Sequence, residues 1–299
     1  MANQFKFKNQ KGIALVIVLL VLALLTAMVV EFSYRVYTGT NDLYNWRDSQ
    51  RLSLLAKSGI NLAVRYIKNL NDKFTDTVDM SFKEPSENFN GEIIIKIEDE
   101  TGKINLNSLV YPDGRTINVT AYKSFQKLLE LLSLDKTIAD RVVDWIDIDT
   151  TPCVTGSENM TKNSILSSVD ELLLINGINR SDYDKLSPYV TVYGTRDNLI
   201  ININTAGEFV LMSLFDQGKG IFPVTKDKAN ILIQRRKAKS FETYHDFNLE
   251  AGTSFSANQI TDKASIFSIH AIASNGNIKR IIDMVLNKDK GRIEYWREY

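Results

Sequence analysis

Hydrophobic and polar positions fall into distinct regimes along this 299-residue chain. Residues 13–30, "IALVIVLLVLALLTAMVV", carry no charge, so a helix there is apolar on every face. Its eighteen residues would rise about 27 Å at ~1.5 Å each, just short of a hydrocarbon core of about 30 Å, so the segment can barely span. Further on, "RLSLLAKSGINLAVRYIKNL" sets Leu52, Ala56, Gly59, Ala63, Tyr66 and Leu70 at alternating spacings of four and three. That stripe predicts an amphipathic helix over 31–70 that continues the span outward, with a break near Gly39, Thr40 and Asn41, and packs on a sheet.

The polar stretch "DKFTDTVDMSFKEPSENFNG" lacks periodicity and reads as a loop. "GEIIIKIEDETGKINLNSL" gives two strand-like runs across a Glu100-Thr101-Gly102 turn, a hairpin signal. Helical patterns occupy about 121–188, broken by "DIDTTPCVTGSENMTKNS". "NLIININTAGEFVLMSLF" predicts a strand feeding a helix capped by Asn204 or Thr205, and an amphipathic helix follows in "VTKDKANILIQRRKAKSFETYHDF". Three strand candidates close the chain, separated by turns at Asn275-Gly276-Asn277 and Lys290-Gly291. The order strand, helices, strand predicts an α+β fold: a long N-terminal helix on an antiparallel sheet (71–118 and 200–299), with an all-α domain inserted at 119–199.

The start of the chain narrows its fate. Lys6, Lys8 and Lys11 precede the apolar run, which puts the N-terminus in the cytoplasm and the bulk of the chain outside. A secretory signal has a shorter apolar stretch and an A-x-A-like cleavage site after it; here "EFSYRVYTG" follows, so removal beyond the run is not expected. With 44% hydrophobic and 24% charged residues the remainder can bury a core. Thirty-six basic and thirty-six acidic residues leave no net charge to draw nucleic acid in bulk. The single cysteine, Cys153, excludes an internal disulfide and reads as an ordinary loop thiol.

Candidate chemistry is sparse. Asp147, Asp149 and Glu158 mimic positions 1, 3 and 12 of a calcium loop, but Pro152 sits where an EF-hand needs glycine. The alternative is that Asp144 caps or pairs locally while Asp147 and Asp149 face water. His245 and His270 are the only histidines, and His270 in "IFSIHAIAS" reads as a strand-core position. No phosphate loop, nucleophile elbow or HExxH motif is present, so no enzyme is expected.

A short basic leader ending in glycine before an apolar helix resembles the class III signal of type IV pilin-like proteins. That resemblance implies cleavage between Gly12 and Ile13, N-methylation of Ile13, and retention of the helix as an assembly element. Most such proteins carry glutamate at the fifth mature position, where this chain has Ile17. A carboxylate buried in lipid is costly unless paired, so a subunit with no neighbour to pair it gains nothing from one, which points to a filament tip.

Together with "DETGKINLNSL", "RVVDWIDIDTTP", "SVDELLLINGI", "LSPYVTVYG" and "ININTAGEFVL", the leader resembles the minor pseudopilin K family of type II secretion (general secretion pathway protein K). Membership implies a pilin-like domain with an inserted helical domain and processing by prepilin peptidase. It implies partners in minor pseudopilins I and J and the inner-membrane assembly platform, with a single pass through the bacterial inner membrane and a periplasmic C-terminal domain. It also implies calcium in the helical domain, although the denser acidic run expected after the glycine is "GSENMTKN" here.

The rival reading is a membrane-anchored DNA-binding protein, since two segments also resemble helix-hairpin-helix repeats; a minor subunit of a related pilus system is the other alternative. A DNA-binding hairpin exposes amides in a GxG turn to a phosphate. Here the first turn reads Gly177-Ile178-Asn179, and Pro223 interrupts the second. The run Arg235, Arg236, Lys237 and Lys239 suits a solvated helix end, so no nucleic-acid partner is expected.

Overall fold

The computed structural model describes residues 10–70, 77–83, 90–153 and 161–299. Its first element is one uninterrupted helix, α1 (Gln10–Asn69). The break expected near Gly39 does not occur. Thr38 and Thr40 turn their hydroxyls back to the carbonyls of Tyr34 and Val36, at 3.0 and 2.7 Å, and so satisfy themselves within the helix. A mid-helix glycine costs only about 1 kcal/mol relative to alanine.

The rest of the chain runs β1 (Val78–Lys83), β2 (Glu92–Asp99), β3 (Ile104–Asn105), α2 (Val119–Leu131), α3 (Thr137–Ile146), α4 (Arg180–Leu186), β4 (Val190–Thr191), β5 (Ile201–Asn202), α5 (Glu208–Ser213), α6 (Lys226–Ala238), α7 (Tyr244–Ala251), β6 (Ile260–Thr261), β7 (Ile266–Ser274), β8 (Lys279–Asn287) and β9 (Arg292–Glu298), with short 3₁₀ turns between.

Five strands form one antiparallel sheet in the order β1-β2-β7-β8-β9. Alternation along the strands sends Ile93, Ile95, Ile97, Phe267, Ile269, Ala271, Ala273, Ile282, Met284 and Leu286 to one face. There they meet Leu52, Ala56, Ile60, Ala63 and Ile67 of α1. The buried stripe differs from the predicted one: Tyr66 is exposed and Ile60 and Ile67 take the contact. A helix turns every 3.6 residues, so an alternating four-three pattern drifts off a straight face over five turns. Gly59 lets the helix approach closely, since a Cβ there would run into Ile93 and come within 3.1 Å of Ile95.

Two expectations fail at the start of the sheet. Residues 78–83, read as loop, form β1, an edge strand whose pairing to β2 no local pattern announces. The hairpin across Glu100 to Gly102 does not form either. That stretch is a 3₁₀ turn carrying the chain away from the sheet, and β3 pairs in parallel with β4.

Between β2 and β7 lies a second lobe with its own core, built from Ile104, Phe125, Leu128, Val142, Leu186, Ile201, Val210, Leu232, Phe241, Phe247 and Ile260 among others. Packing therefore draws this lobe wider than the expected 119–199: residues 104–118 and 201–260 belong to its core and not to the sheet's. Two short parallel ladders, β3–β4 and β5–β6, tie its helices together. The chain leaves the sheet at Asp99 and returns at Ile266. That is the end reached by the C-terminus of α1, since the Lys288 backbone donates to Ser265 while its ammonium donates to the Leu70 carbonyl at 2.9 Å.

Candidate functional site

The apolar end of α1 has no packing partner among the described residues. Ile13 and Ile17 are 63% and 57% exposed, and a Cβ at Gly12 would meet nothing within 4 Å, so the Gly12–Ile13 bond lies open along the helix. Residues 1–9, with Lys6 and Lys8, lie outside the described residues, as does the side chain of Lys11. Among the described residues this is the one helix long and apolar enough to cross a membrane.

Where the second lobe joins the sheet, two sequence motifs meet. "DETG" ends β2, and "NINTA" follows β5. Asp99 is buried and its carboxylate accepts from the Thr101 amide at 2.9 Å, the Thr101 hydroxyl, the Asn202 amide at 2.7 Å and the Thr205 hydroxyl at 2.6 Å. Burial raises the Asp99 carboxyl above the usual carboxylate range, against the pull of those donors. Gly102 permits the contact: a Cβ there would stand 2.6 Å from Thr205 Oγ1 and 3.0 Å from its carbonyl carbon. The predicted capping by Asn204 or Thr205 is corrected here, because Gly207 is the N-cap of α5. Asn204 instead donates to the carbonyls of Phe241 and Asp262, both at 3.1 Å, and Thr205 serves Asp99.

A second polar junction, not visible in the sequence, crosses the back of the sheet. His270 is half-exposed, not a core residue, because its strand turns it away from α1. Its Nδ1 bonds Asp283, which also accepts from Arg297 at 3.1 Å and the Tyr299 hydroxyl at 3.2 Å. Arg297 then reaches across to Asp170 of the second lobe at 2.9 Å, and Asp170 accepts from Tyr183 at 2.6 Å. Burial alone would raise Asp283, but His270 and Arg297 hold its carboxyl below the usual range. The partners are far apart in sequence, and only the register Asp283↔Arg297 aligns them.

The acidic loop after α3 is more enclosed than expected. Asp144 and Asp147 are buried, and only Asp149 of the three aspartates reaches water. Both oxygens of Asp144 accept from the Cys153 amide, at 3.0 and 3.1 Å, and Asp149 accepts from the Thr151 amide at 2.7 Å. Partial burial and the Asp144 carboxylate push the Cys153 thiol up to about 12, which makes it a poor nucleophile. Glu158 lies outside the described residues. Among the described residues no three His, Cys, Asp or Glu side chains converge as a metal set.

The hairpin turns do not offer a phosphate grip. Asn179 caps α4 in a reciprocal capping box with Asp182, using the amides a phosphate would need. Arg141 fills the space over Gly177, its guanidinium carbon 2.9 Å from where a Cβ would sit. In the second turn Asp216 takes the Lys219 and Gly220 amides at 3.1 and 2.7 Å. The basic run is engaged in the fold, with Arg235 on Glu250 at 3.0 Å and Arg236 on the Ile203 carbonyl at 2.8 Å.

A long helix, apolar at one end and laid on an antiparallel sheet at the other, with a second lobe spliced between two strands, defines a pilin-like subunit. Comparison with known proteins carries this further. A family model described as type II secretion system protein K matches residues 102–195, and a second with the same description matches 201–266, together more than half of the chain. Type II secretion system protein K of Pseudomonas aeruginosa is 26% identical over 268 residues, covering 80% of this chain and 76% of the relative. The Pectobacterium carotovorum protein is 28% identical over 257 residues, 76% of each chain. Among solved structures, the GspK–GspI–GspJ complex of the enterotoxigenic Escherichia coli type 2 secretion system contains a chain similar in fold, with TM-score 0.65 and 18% identity, covering 85% of this chain and 98% of that one. The chain belongs to the type II secretion system protein K family.

Proposed function

We propose that this chain is the tip subunit of a type II secretion pseudopilus, initiating the fibre and capping it without catalysis of its own. One observation carries the reading: the second lobe leaves and rejoins the sheet at the end reached by the C-terminus of α1, opposite the exposed apolar span. Bulk at that end leaves no room for a subunit stacked above. Ile17, in place of a lipid-buried carboxylate, suits a first subunit.

On this reading residues 13–30 hold the chain in the bacterial inner membrane, N-terminus cytoplasmic, until assembly extracts them. Prepilin peptidase cleaves at Gly12–Ile13, Ile13 is methylated, and the assembly platform delivers the subunit to minor pseudopilins I and J. The solved complex of a similar chain with GspI and GspJ supports those partners. Co-expression with both should yield a ternary complex; recovery of the chain alone, with I and J paired without it, would overturn the reading. Calcium remains part of the proposal, held by Asp147 and Asp149 with Glu158, an all-oxygen set suited to a hard cation. Its test is a thermal shift: calcium raises the melting temperature of the wild type and not of Asp147→Asn.

A further inference from the structure

The last strand, β9, reaches both bodies of the molecule. The core under α1 and the core of the second lobe share no residue, and no residue of β9 belongs to either. Alternation along a strand sends neighbouring side chains to opposite faces. Glu298 points to the helix side, where it accepts from the Ser53 hydroxyl and pairs with Lys57 of α1 at 3.1 Å. Arg297 points to the back, where it ends a cross-strand row of Asp79, Lys96, His270 and Asp283. From there it pairs with Asp170 of the second lobe at 2.9 Å. Tyr295, on the same side, meets the ring of Tyr193 in the lobe at a centroid distance of 6.3 Å. Two consecutive residues thus join α1 to the second lobe.

We propose that β9 is a releasable clasp: seated, it holds the second lobe against the back of the sheet and in line with α1, and released, it lets the lobe swing on its two chain crossings. The crossings, residues 99–104 and 261–266, form the pivot. There Asp99 binds Asn202 and Thr205 of the lobe, and the Lys103 ammonium bridges Glu98 and Glu100 at 3.5 and 2.7 Å. From Ile266 to His270, β7 runs about 13 Å at ~3.3 Å per residue, so the Arg297–Asp170 pair acts well away from the pivot. The space between them is not packed. A cavity of about 230 Å³ lies there, lined by Glu100 and Lys103 at the pivot, by Asp170 and Tyr193 of the lobe and by His270 and Arg297 of the sheet. Another of about 340 Å³ flanks the crossing beside Asn105, Thr191, Ser265 and Asn287. Polar groups around cavities, with no merged apolar core, allow two bodies of one chain to move against each other. The clasp itself is lightly held. β9 is an edge strand, none of its residues is buried, and a register shift between Val285 and Leu286 interrupts its ladder to β8. Releasing it exposes little new apolar surface, yet frees the lobe from the sheet and from α1 in one step.

The test is a distance measurement on the full chain in detergent micelles. Cys153→Ser removes the native thiol, and Lys185→Cys on the lobe and Lys279→Cys on the sheet, both exposed, carry nitroxide labels for double electron–electron resonance. With the clasp intact, one narrow distance is expected. Asp170→Ala removes the lobe's end of the clasp and leaves Arg297 on Asp283. It should broaden the distribution at least twofold toward longer distances at unchanged helical content, and Arg297→Ala should do the same. Glu298→Ala is the decisive variant, because Glu298 bonds α1 and its loss moves the lobe only if β9 acts as one piece. The same broadening is the expected result. A broad distribution with the clasp intact, an unchanged one with Asp170→Ala, or one that Arg297→Ala broadens and Glu298→Ala leaves narrow would each overturn the clasp. The clasp works alike in a subunit at any position of a fibre, so each of these results leaves the tip reading to its own test.

Discussion

Gly39 and Gly59 occupy the same helix and respond to the same change in opposite senses. Gly39→Ala adds a methyl in open space and removes a helix handicap of about 1 kcal/mol, read as slower amide exchange around residues 36–43. Gly59→Ala gains the same propensity but drives a methyl into Ile93 and Ile95, an overpacking penalty of about 1–3 kcal/mol. The net expectation is a loss of up to about 2 kcal/mol of unfolding free energy, measured by denaturant unfolding; a stabilised Gly59→Ala would show that the helix does not sit so close. Asp99→Ala strands the buried Asn202 amide and the part-buried donors of Thr101 and Thr205, and should cost about 3 kcal/mol by the same measurement. The sequence displays "DETG" and "NINTA" as motifs, but not that one caps the other across about a hundred residues.

Elements were legible where their stabilisation is local. The alternation in 266–298 marks three strands and their turns, and the apolar run marks the span. β1 was not, because an edge strand needs only its partner's backbone. The hairpin signal at Glu100 misled because the turn residues there are recruited by Thr205 instead of by a neighbouring strand. At this scale the junction from β9 to the second lobe is testable. Arg297→Ala breaks the bonds to both Asp283 and Asp170, and for such partly exposed groups the expected cost is about 1 kcal/mol. The Asp283 carboxyl sits lower in the fold than its unfolded value of about 3.9, so its stabilisation is complete above that value and is lost as pH falls through the lower folded one. The Arg297→Ala penalty should hold from pH 7 to 5 and fade below about pH 4; a penalty already gone at pH 5 would contradict the assignment.

The whole molecule divides between the apolar end of α1, which meets no partner among the described residues, and a body in which the rest of α1 packs on the sheet beside a second lobe. Sequence conveyed the fold class but placed the lobe's limits too narrowly, since "ININTA" and the helices after it read as well for either body until packing assigned them to the second core. The central claim is that the N-terminal helix is an assembly element, exposed by processing and kept. Ile17→Glu should alter recovery of the ternary complex less than twofold, whereas Gly12→Ala should leave the precursor intact. The most direct measurement is the mature N-terminus and mass of the chain expressed with an active prepilin peptidase. A chain beginning at Ile13, with or without a methyl group, is the predicted result; a chain that still begins at Met1 in the presence of that peptidase would contradict the account.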